Sequence, residues 1–296
     1  MRILDFGSLN YDYVYGVDHV AVAGETISSY NMEVFCGGKG LNQAIAAARA
    51  GAEVYMAGLV GEDGQLLMDI CKRNGVDSSC IRKVPGISGH AIIQVDKEGQ
   101  NSILLYGGSN QQMTREYIDD VLGQFGCGDI LLIQNEINLL DYIIDKASEN
   151  GMRIYLNPSP YNEKIKSCDL SKISVLLINE IEGGQISGER DYDKMLDVMQ
   201  EKYPETDLML TLGEKGAVYC CRGKRYRQDI YKVKAVDTTA AGDTFTGYFA
   251  ALMQEKIPVQ EVLAMCAGAA AIAVSRKGAA NSIPIRDEVN KFCLHK

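Results

Sequence analysis

A chain of 296 residues with 46% hydrophobic side chains suits one large α/β domain or two ordinary ones, and it can bury a sizeable core. A formal net charge of −9, with 23% charged residues, argues against a nucleic-acid backbone or an anionic membrane as the main partner and leaves only a local pocket for a small anion. Nine cysteines without a C-x-x-C pair point to reduced thiols in the cytoplasm, and a zinc site has only His19, His90 and His295 to draw on.

In chain order, residues 2–8, RILDFGS, read as a buried strand that opens the core, with no leader-like apolar segment ahead of it. The polar and aromatic stretch at 12–35 alternates like exposed strand, and GGKGLNQAIAAARAGA is a glycine loop running into an Ala-rich helix that ends at Gly51. EVYMAGLVG and EDGQLLMDICKRNG give a strand and a helix. Residues 89–106 read as a hairpin turning at KEGQ, and the absence of helix in both inserts suggests that they pair as a small accessory sheet. From 129 the alternation resumes: strand DILLIQ, helix 138–150, strands MRIYLN and SVLLIN, helices near 180–203, strand DLMLTLG, and long helices at 241–254 and 259–276. Strands alternating with helices imply a parallel sheet covered on both faces, with ligands at the carboxyl ends of the strands. No linker divides the chain, so a single domain with a lid from about 12–36 and 87–108 is expected.

The common nucleotide fingerprints are missing: there is no G-x-x-x-x-G-K-[ST], and no G-x-G-x-x-G follows the first strand. VDTTAAGDTF offers another solution after a strand-like YKVKAV. Small residues leave backbone N–H groups bare at a helix start, which suits a phosphate with Asp243 beside it as a base, although Asp243 is equally a helix-cap residue. CGGKGLNQA permits close backbone approach to a ligand or is a tight strand-to-helix turn. Asn10 and Asp12 stand where a switch-point ligand would sit, and also read as turn residues. Glu136, Asn179, Glu180 and Glu182 follow buried strands, suited to hydroxyls or metal-bound water, or to helix N-terminal charge. TLGEKGA is a nucleotide-facing turn or a hairpin into VYCCRGKRYR.

Together, NYD, AGET, GGKGLNQA, LNPSP, NEIE, TLGEKG, VDTTAAGDTF and AVSRKGAANSIP resemble the ribokinase family within the phosphofructokinase-B type group of sugar and nucleoside kinases, over nearly the whole chain. The resemblance implies a three-layer α/β/α fold with a mainly parallel central sheet and a small β-sheet lid. It implies an ATP-dependent kinase acting on the primary hydroxyl of a small sugar, D-ribose foremost. Asp243 would be the base, and the backbone of Ala240, Ala241 and Gly242 the anion hole. Sugar contacts would fall to Asn10, Asp12, Gly38, Lys39, Asn42, Glu136 and Asp243. Asn179 and Glu182 would act on Mg²⁺ and its waters, with Thr211, Gly213, Gly216 and Gly242 beside the nucleotide. Potassium would be held by oxygens of Asp237, Thr239, Ala273, Arg276, Gly278 and Ser282, with Arg276 acting through its backbone.

His90, in the lid hairpin, departs from the family's small apolar residue and is either an exposed lid histidine or a substrate contact. The tyrosines of YDYVYG leave room for base stacking, so a nucleoside kinase is the alternative activity. A non-catalytic sensor is the alternative of another class. The exposed, partly apolar lid strands imply a homodimer clasped through the lids.

Overall fold

The computed structural model describes residues 1–294, so His295 lies outside the described residues. Strand β1 (Ile3–Phe6) is buried along its whole length, Asp5 included. The chain leaves the core as β2 (Asn10–Gly16) and β3 (Asn31–Gly37) and returns through Gly38 into α1 (Lys39–Arg49). Gly38 has a φ of 94°, where a side chain would be strained, and that turn joins strand to helix directly. Next come β4 (Val54–Val60), α2 (Gln65–Arg73), the short strands β5 (Val76–Asp77) and β6 (Ile81–Lys83), and the hairpin β7 (Gly89–Val95) and β8 (Asn101–Tyr106). Its turn is pinned by Asp96, whose Oδ1 accepts from the backbone N–H of Glu98 and of Gln100, each at 2.9 Å.

Then follow α3 (Arg115–Leu122), β9 (Ile130–Gln134), α4 (Leu140–Glu149), β10 (Arg153–Asn157), α5 (Glu163–Lys166) and β11 (Val175–Asn179). The last third holds α6 (Glu180–Ser187), α7 (Tyr192–Lys202), β12 (Asp207–Thr211), β13 (Ala217–Cys221), β14 (Lys224–Gln228), α8 (Ala241–Leu252), α9 (Val259–Val274) and α10 (Arg286–Leu294).

The large sheet runs β14-β13-β12-β11-β10-β9-β1-β4-β5, with β6 also on β4. It is parallel from β12 to β5, and β13 and β14 close one edge as antiparallel strands. One face packs against α1, α2, α8, α9 and α10, the other against α3, α4, α5 and α7, giving two apolar cores and three layers.

The second sheet, β3-β2-β7-β8, joins strands from both inserts. Asp12 pairs with Phe35 and Ala91, and His90 with Tyr11 and Tyr106. Strand alternation therefore puts Asp12 and Val14 on one face, and Tyr11, Tyr13, Tyr15 and His90 on the other. His90 packs there between Tyr13 and Tyr106, with ring centroids 5.8 and 5.0 Å away. His90 and these tyrosines thus lie on the sheet face opposite Asp12, which favours the lid histidine over the substrate contact and speaks against base stacking beside Asp12.

YKVKAV is not a strand. Val236 and Asp237 both donate their N–H to Val274 O, so the chain is tied to the end of α9 instead of to a sheet neighbour. Helix α10 and strands β5 and β6 carry too weak a pattern for detection, whereas α3 was missed although Thr114 caps it and Tyr117, Ile118, Val121 and Leu122 form its buried face. The strands are two and three residues long, and α10 buries only Val289.

Candidate functional site

Strands β10, β11 and β12 end at Asn157, Asn179 and Thr211, and these residues line a cavity of about 240 Å³ together with Lys39, Glu182 and the start of α8. No side chain caps α8: the turn is made by Ala240 at φ 59°, followed by Ala241, Gly242 and Asp243. The positive end of the helix dipole thus opens on the cavity. Ala241 N makes a long bond of 3.3 Å to Thr238 O.

Asp243 is buried, and α1 holds both of its oxygens. Asn42 Nδ2 donates to Oδ2 at 3.0 Å and Gln43 Nε2 to Oδ1 at 2.9 Å. Helices α1 and α8 approach closely enough for this because position 247 is glycine: a Cβ there would lie 2.4 Å from Gln43 O.

On the side of the small sheet, Asn10 Oδ1 accepts from Asn110 Nδ2 at 2.7 Å, and Asn110 Oδ1 accepts from Leu9 N at 3.1 Å, which fixes both amides. Glu136 Oε2 accepts from Ser8 Oγ and, at 3.1 Å, from Lys39 N. Asp12 lies against the backbone of Gly37, where a Cβ would meet its Oδ2. Burial, then Glu136 and Asp243, push the Asp12 carboxyl up to about 7. Burial also raises Glu136, against Lys39 and Ser8. At Lys39 burial works to lower the ammonium's pKa, and Asp243, Glu136 and Glu182 outweigh it, so the group is held above its ordinary value. Asn42 thus meets Asp243, Glu136 meets the backbone of Lys39, and Asp12 lies close enough to Glu136 and Asp243 to feel their charge, with Asn10 paired to Gly37 and Gly38 at the turn that starts α1; Lys39 and Asp243 also line the cavity. Asn42 Oδ1 is buried without a hydrogen-bond partner, an acceptor suited to a hydroxyl.

At the other end, Asn179 Oδ1 accepts from Ile181 N and Glu182 N at 2.9 Å, and Glu182 Oε2 accepts from Asn179 N at 3.1 Å, a capping box. The other Glu182 oxygen accepts from Ser159 Oγ. Helix capping and a place on the cavity wall are therefore both true of Glu182, while Glu180 is exposed. Gly213 (φ 54°) and Gly216 (φ 86°) shape the turn between β12 and β13 and do not line this cavity.

Asp237 ties two loops together, its Oδ1 accepting from Thr239 N and its Oδ2 from Gly278 N, each at 2.9 Å. Burial works against ionisation, but these bonds and Lys277 hold the Asp237 carboxyl below its usual range. Arg276 turns its guanidinium to Glu288 at 2.5 Å, leaving only its backbone to the loop that ends at Ser282, whose Oγ donates to Ala279 O at 2.8 Å. Ala273 O accepts from Arg276 N at 3.0 Å. No cluster of acidic, histidine or cysteine side chains placed to hold a metal occurs among the described residues.

Sequence reasoning missed Asp5, Ser8, Gln43, Asn110, Gln134 and Ser159. Gln43 Oε1 accepts from Gln134 Nε2 at 2.9 Å, and Gln134 Nε2 reaches Asp5 Oδ1 at 3.2 Å. The available signals were an acid inside the apolar strand RILDF and a glutamine ending LLIQ.

A profile of the pfkB family carbohydrate kinases matches residues 2–286. The chain is 37% identical to a ribokinase of Haemophilus influenzae, over 98% of this chain and 97% of the relative, and 33% identical to a ribokinase of Bacillus subtilis, over 98% and 99%. Among solved structures, Arabidopsis thaliana ribokinase complexed with ribose and ATP superposes with a TM-score of 0.85 at 29% identity, covering 99% of this chain and 98% of that one. The fold is ribokinase-like. A buried acid at a bare helix end, facing polyol-suited amides and carboxylates, accords with that match, and this chain belongs to the pfkB family of carbohydrate kinases, phosphotransferases with an alcohol acceptor.

Proposed function

We propose that the protein is an ATP-dependent ribose kinase that forms ribose 5-phosphate. The observation that carries this reading is Asp243, held at both oxygens by Asn42 and Gln43 where the uncapped start of α8 meets a space bounded by Asp12 and Glu136. Asp12, Asn10, Asn42, Lys39, Gly38 and Glu136 bind the sugar hydroxyls. An analogue lacking one hydroxyl leaves a buried group unpaired, which is how such a site discriminates.

Asp243 takes the proton of the attacking hydroxyl as its oxygen bonds to the γ-phosphorus. The bond from that phosphorus to the β–γ bridging oxygen breaks, and ADP leaves with the electron pair. N–H groups of Ala240, Ala241 and Gly242 stabilise charge on the transferred group, with Gly242 the donor best placed because Ala241 N already leans on Thr238 O. Thr211, Gly213 and Gly216 flank the nucleotide.

The buried Glu182 carboxylate on the cavity wall is a hard oxygen donor that suits Mg²⁺ and its waters, and Asn179, whose Oδ1 accepts from Ile181 N and Glu182 N, fixes that carboxylate and leaves its Nδ2 for the ion's waters or a phosphate. That ion, when bound, neutralises phosphate charge. Oxygens of Asp237, Thr239, Ala273, Arg276, Gly278 and Ser282 suit K⁺, since Arg276 spends its charge on Glu288 and offers the loop only a carbonyl. The small sheet acts as the lid of a single kinase domain. Its exposed Ile103, Leu104 and Tyr106 favour a homodimer through the lids. Free thiols throughout suit the cytoplasm.

The test is ADP release with ATP, Mg²⁺ and KCl across ribose, deoxyribose, fructose, fructose 6-phosphate and adenosine, repeated with NaCl. Highest kcat/KM on ribose, falling in sodium, is expected. Preference for adenosine overturns the sugar assignment in favour of a nucleoside kinase, and no turnover on any acceptor points to a sensor.

A further inference from the structure

Asp5 is fully buried in the middle of the large sheet, and no ion pair to it occurs among the described residues. It flanks Met56 and Leu132 on the neighbouring strands. The titratable groups that face it are Asp243 of α8 and Cys71 of α2. Its hydrogen-bond partner is Gln134 at the end of β9, whose Nε2 lies 3.2 and 3.4 Å from the two Asp5 oxygens. We propose that Asp5 is a positioning residue for Asp243, acting through the side-chain amides of Gln134 and Gln43. This rests on the reading of Asp243 as the base.

The direction of each bond in the chain follows from its catalytic end. Asp243 Oδ1 accepts, so Gln43 presents Nε2 to it and turns Oε1 to Gln134. Gln134 must then present Nε2, with one hydrogen for Gln43 and the other for Asp5. That leaves Gln134 Oε1 buried with no partner. Asp5 Oδ1 and Gln134 Oε1 crowd the same point, since a Cβ at Gly7 would lie 2.7 Å from one and 2.3 Å from the other.

A carboxylate at Asp5 would set like charge against that oxygen. A neutral carboxyl resolves the conflict: its carbonyl oxygen accepts from Nε2 while its O–H donates to Oε1, a ring of two hydrogen bonds. Burial pushes the Asp5 carboxyl well up, with Asp243 adding to it and the Gln134 bond opposing. The acid therefore keeps the amides from flipping, and a flipped Gln43 would turn an oxygen toward the base.

The experiment measures kcat and both KM values of Asp5→Asn and Asp5→Val in the full chain at one pH, with Asp243→Asn alongside. An asparagine can form the same ring, so D5N keeps kcat within about twofold. D5V loses about fivefold to thirtyfold in kcat with KM for ribose and ATP little changed, the scale of a slightly misplaced base. Wild-type kcat in D5V, or equal losses in both variants, overturns the proposal. Those results beside an inactive D243N remove only the role of Asp5, whereas an active D243N removes the reading of the site itself.

Discussion

Asn42 and Asp243 meet across two helices: the amide of one donates to the carboxylate of the other at 3.0 Å, although 201 positions separate them in the chain. The residue proposed to grip the sugar also orients the residue proposed to activate it. Asp243→Asn should lower kcat about 10²- to 10⁴-fold, the range for a lost general base, with a much smaller loss of ribose affinity, because its NH2 must face the amide donor of Asn42 or Gln43. Calorimetry of ribose binding beside steady-state kinetics checks both halves.

The same contact depends on how closely the helices pack. A Cβ at Gly247 would lie 2.4 Å from Gln43 O and 2.5 Å from Ala46 Cβ, so backbone has to move. Gly247→Ala should cost about 1–3 kcal/mol of stability, as overpacking does. Because the displaced pair carries Asp243, kcat should fall as well, read from urea denaturation and turnover of the same preparation.

Asp12 should make sugar affinity depend on pH. Its carboxyl lies near about 7, raised first by burial and then by Glu136 and Asp243. Below that value it is neutral and keeps its own proton; above it, both oxygens accept from sugar hydroxyls. KM for ribose should therefore fall as pH rises from about 6 to 8, and Asp12→Asn should flatten the curve.

Glu182 separates charge from capping. Glutamine at this position can keep the bond to Asn179 N, so Glu182→Gln should change stability by less than about 1 kcal/mol. It removes the negative charge from the cavity wall, and the Mg²⁺ concentration for half-maximal rate should rise severalfold. A magnesium titration at fixed ATP shows it.

The edge strand β8 is exposed throughout, with Ile103 at 59% and Leu104 at 67%. Replacing both with lysine places charge on each face of the edge. Sedimentation should show dimers of the parent chain, as proposed, and monomers of this variant.

Much of this architecture is legible from local pattern. Strand and helix alternate at readable periods, and GGKG and TTAAGD announce helices that begin without a capping side chain. Chemistry carried by residues in those loops was readable for the same reason. The chain from Asp5 through Gln134 and Gln43 was not, because its links span 129 and 91 positions and exist only once β9 lies beside β1 and α1 covers them. The alternatives at His90 stayed open for a related reason: a strand residue's face is set by register, which neither insert discloses alone.

Asp12 reaches the cleft only because it pairs with Phe35 on one side and Ala91 on the other. Asp243 rides on a helix of the core. Of the groups proposed to hold the sugar, Asn10 and Asp12 therefore ride on the small sheet, while Lys39, Asn42 and Glu136 share the core with Asp243. A change in the strands of the small sheet can thus alter part of the proposed sugar contacts while the α1–α8 contact that holds Asp243 stays in place.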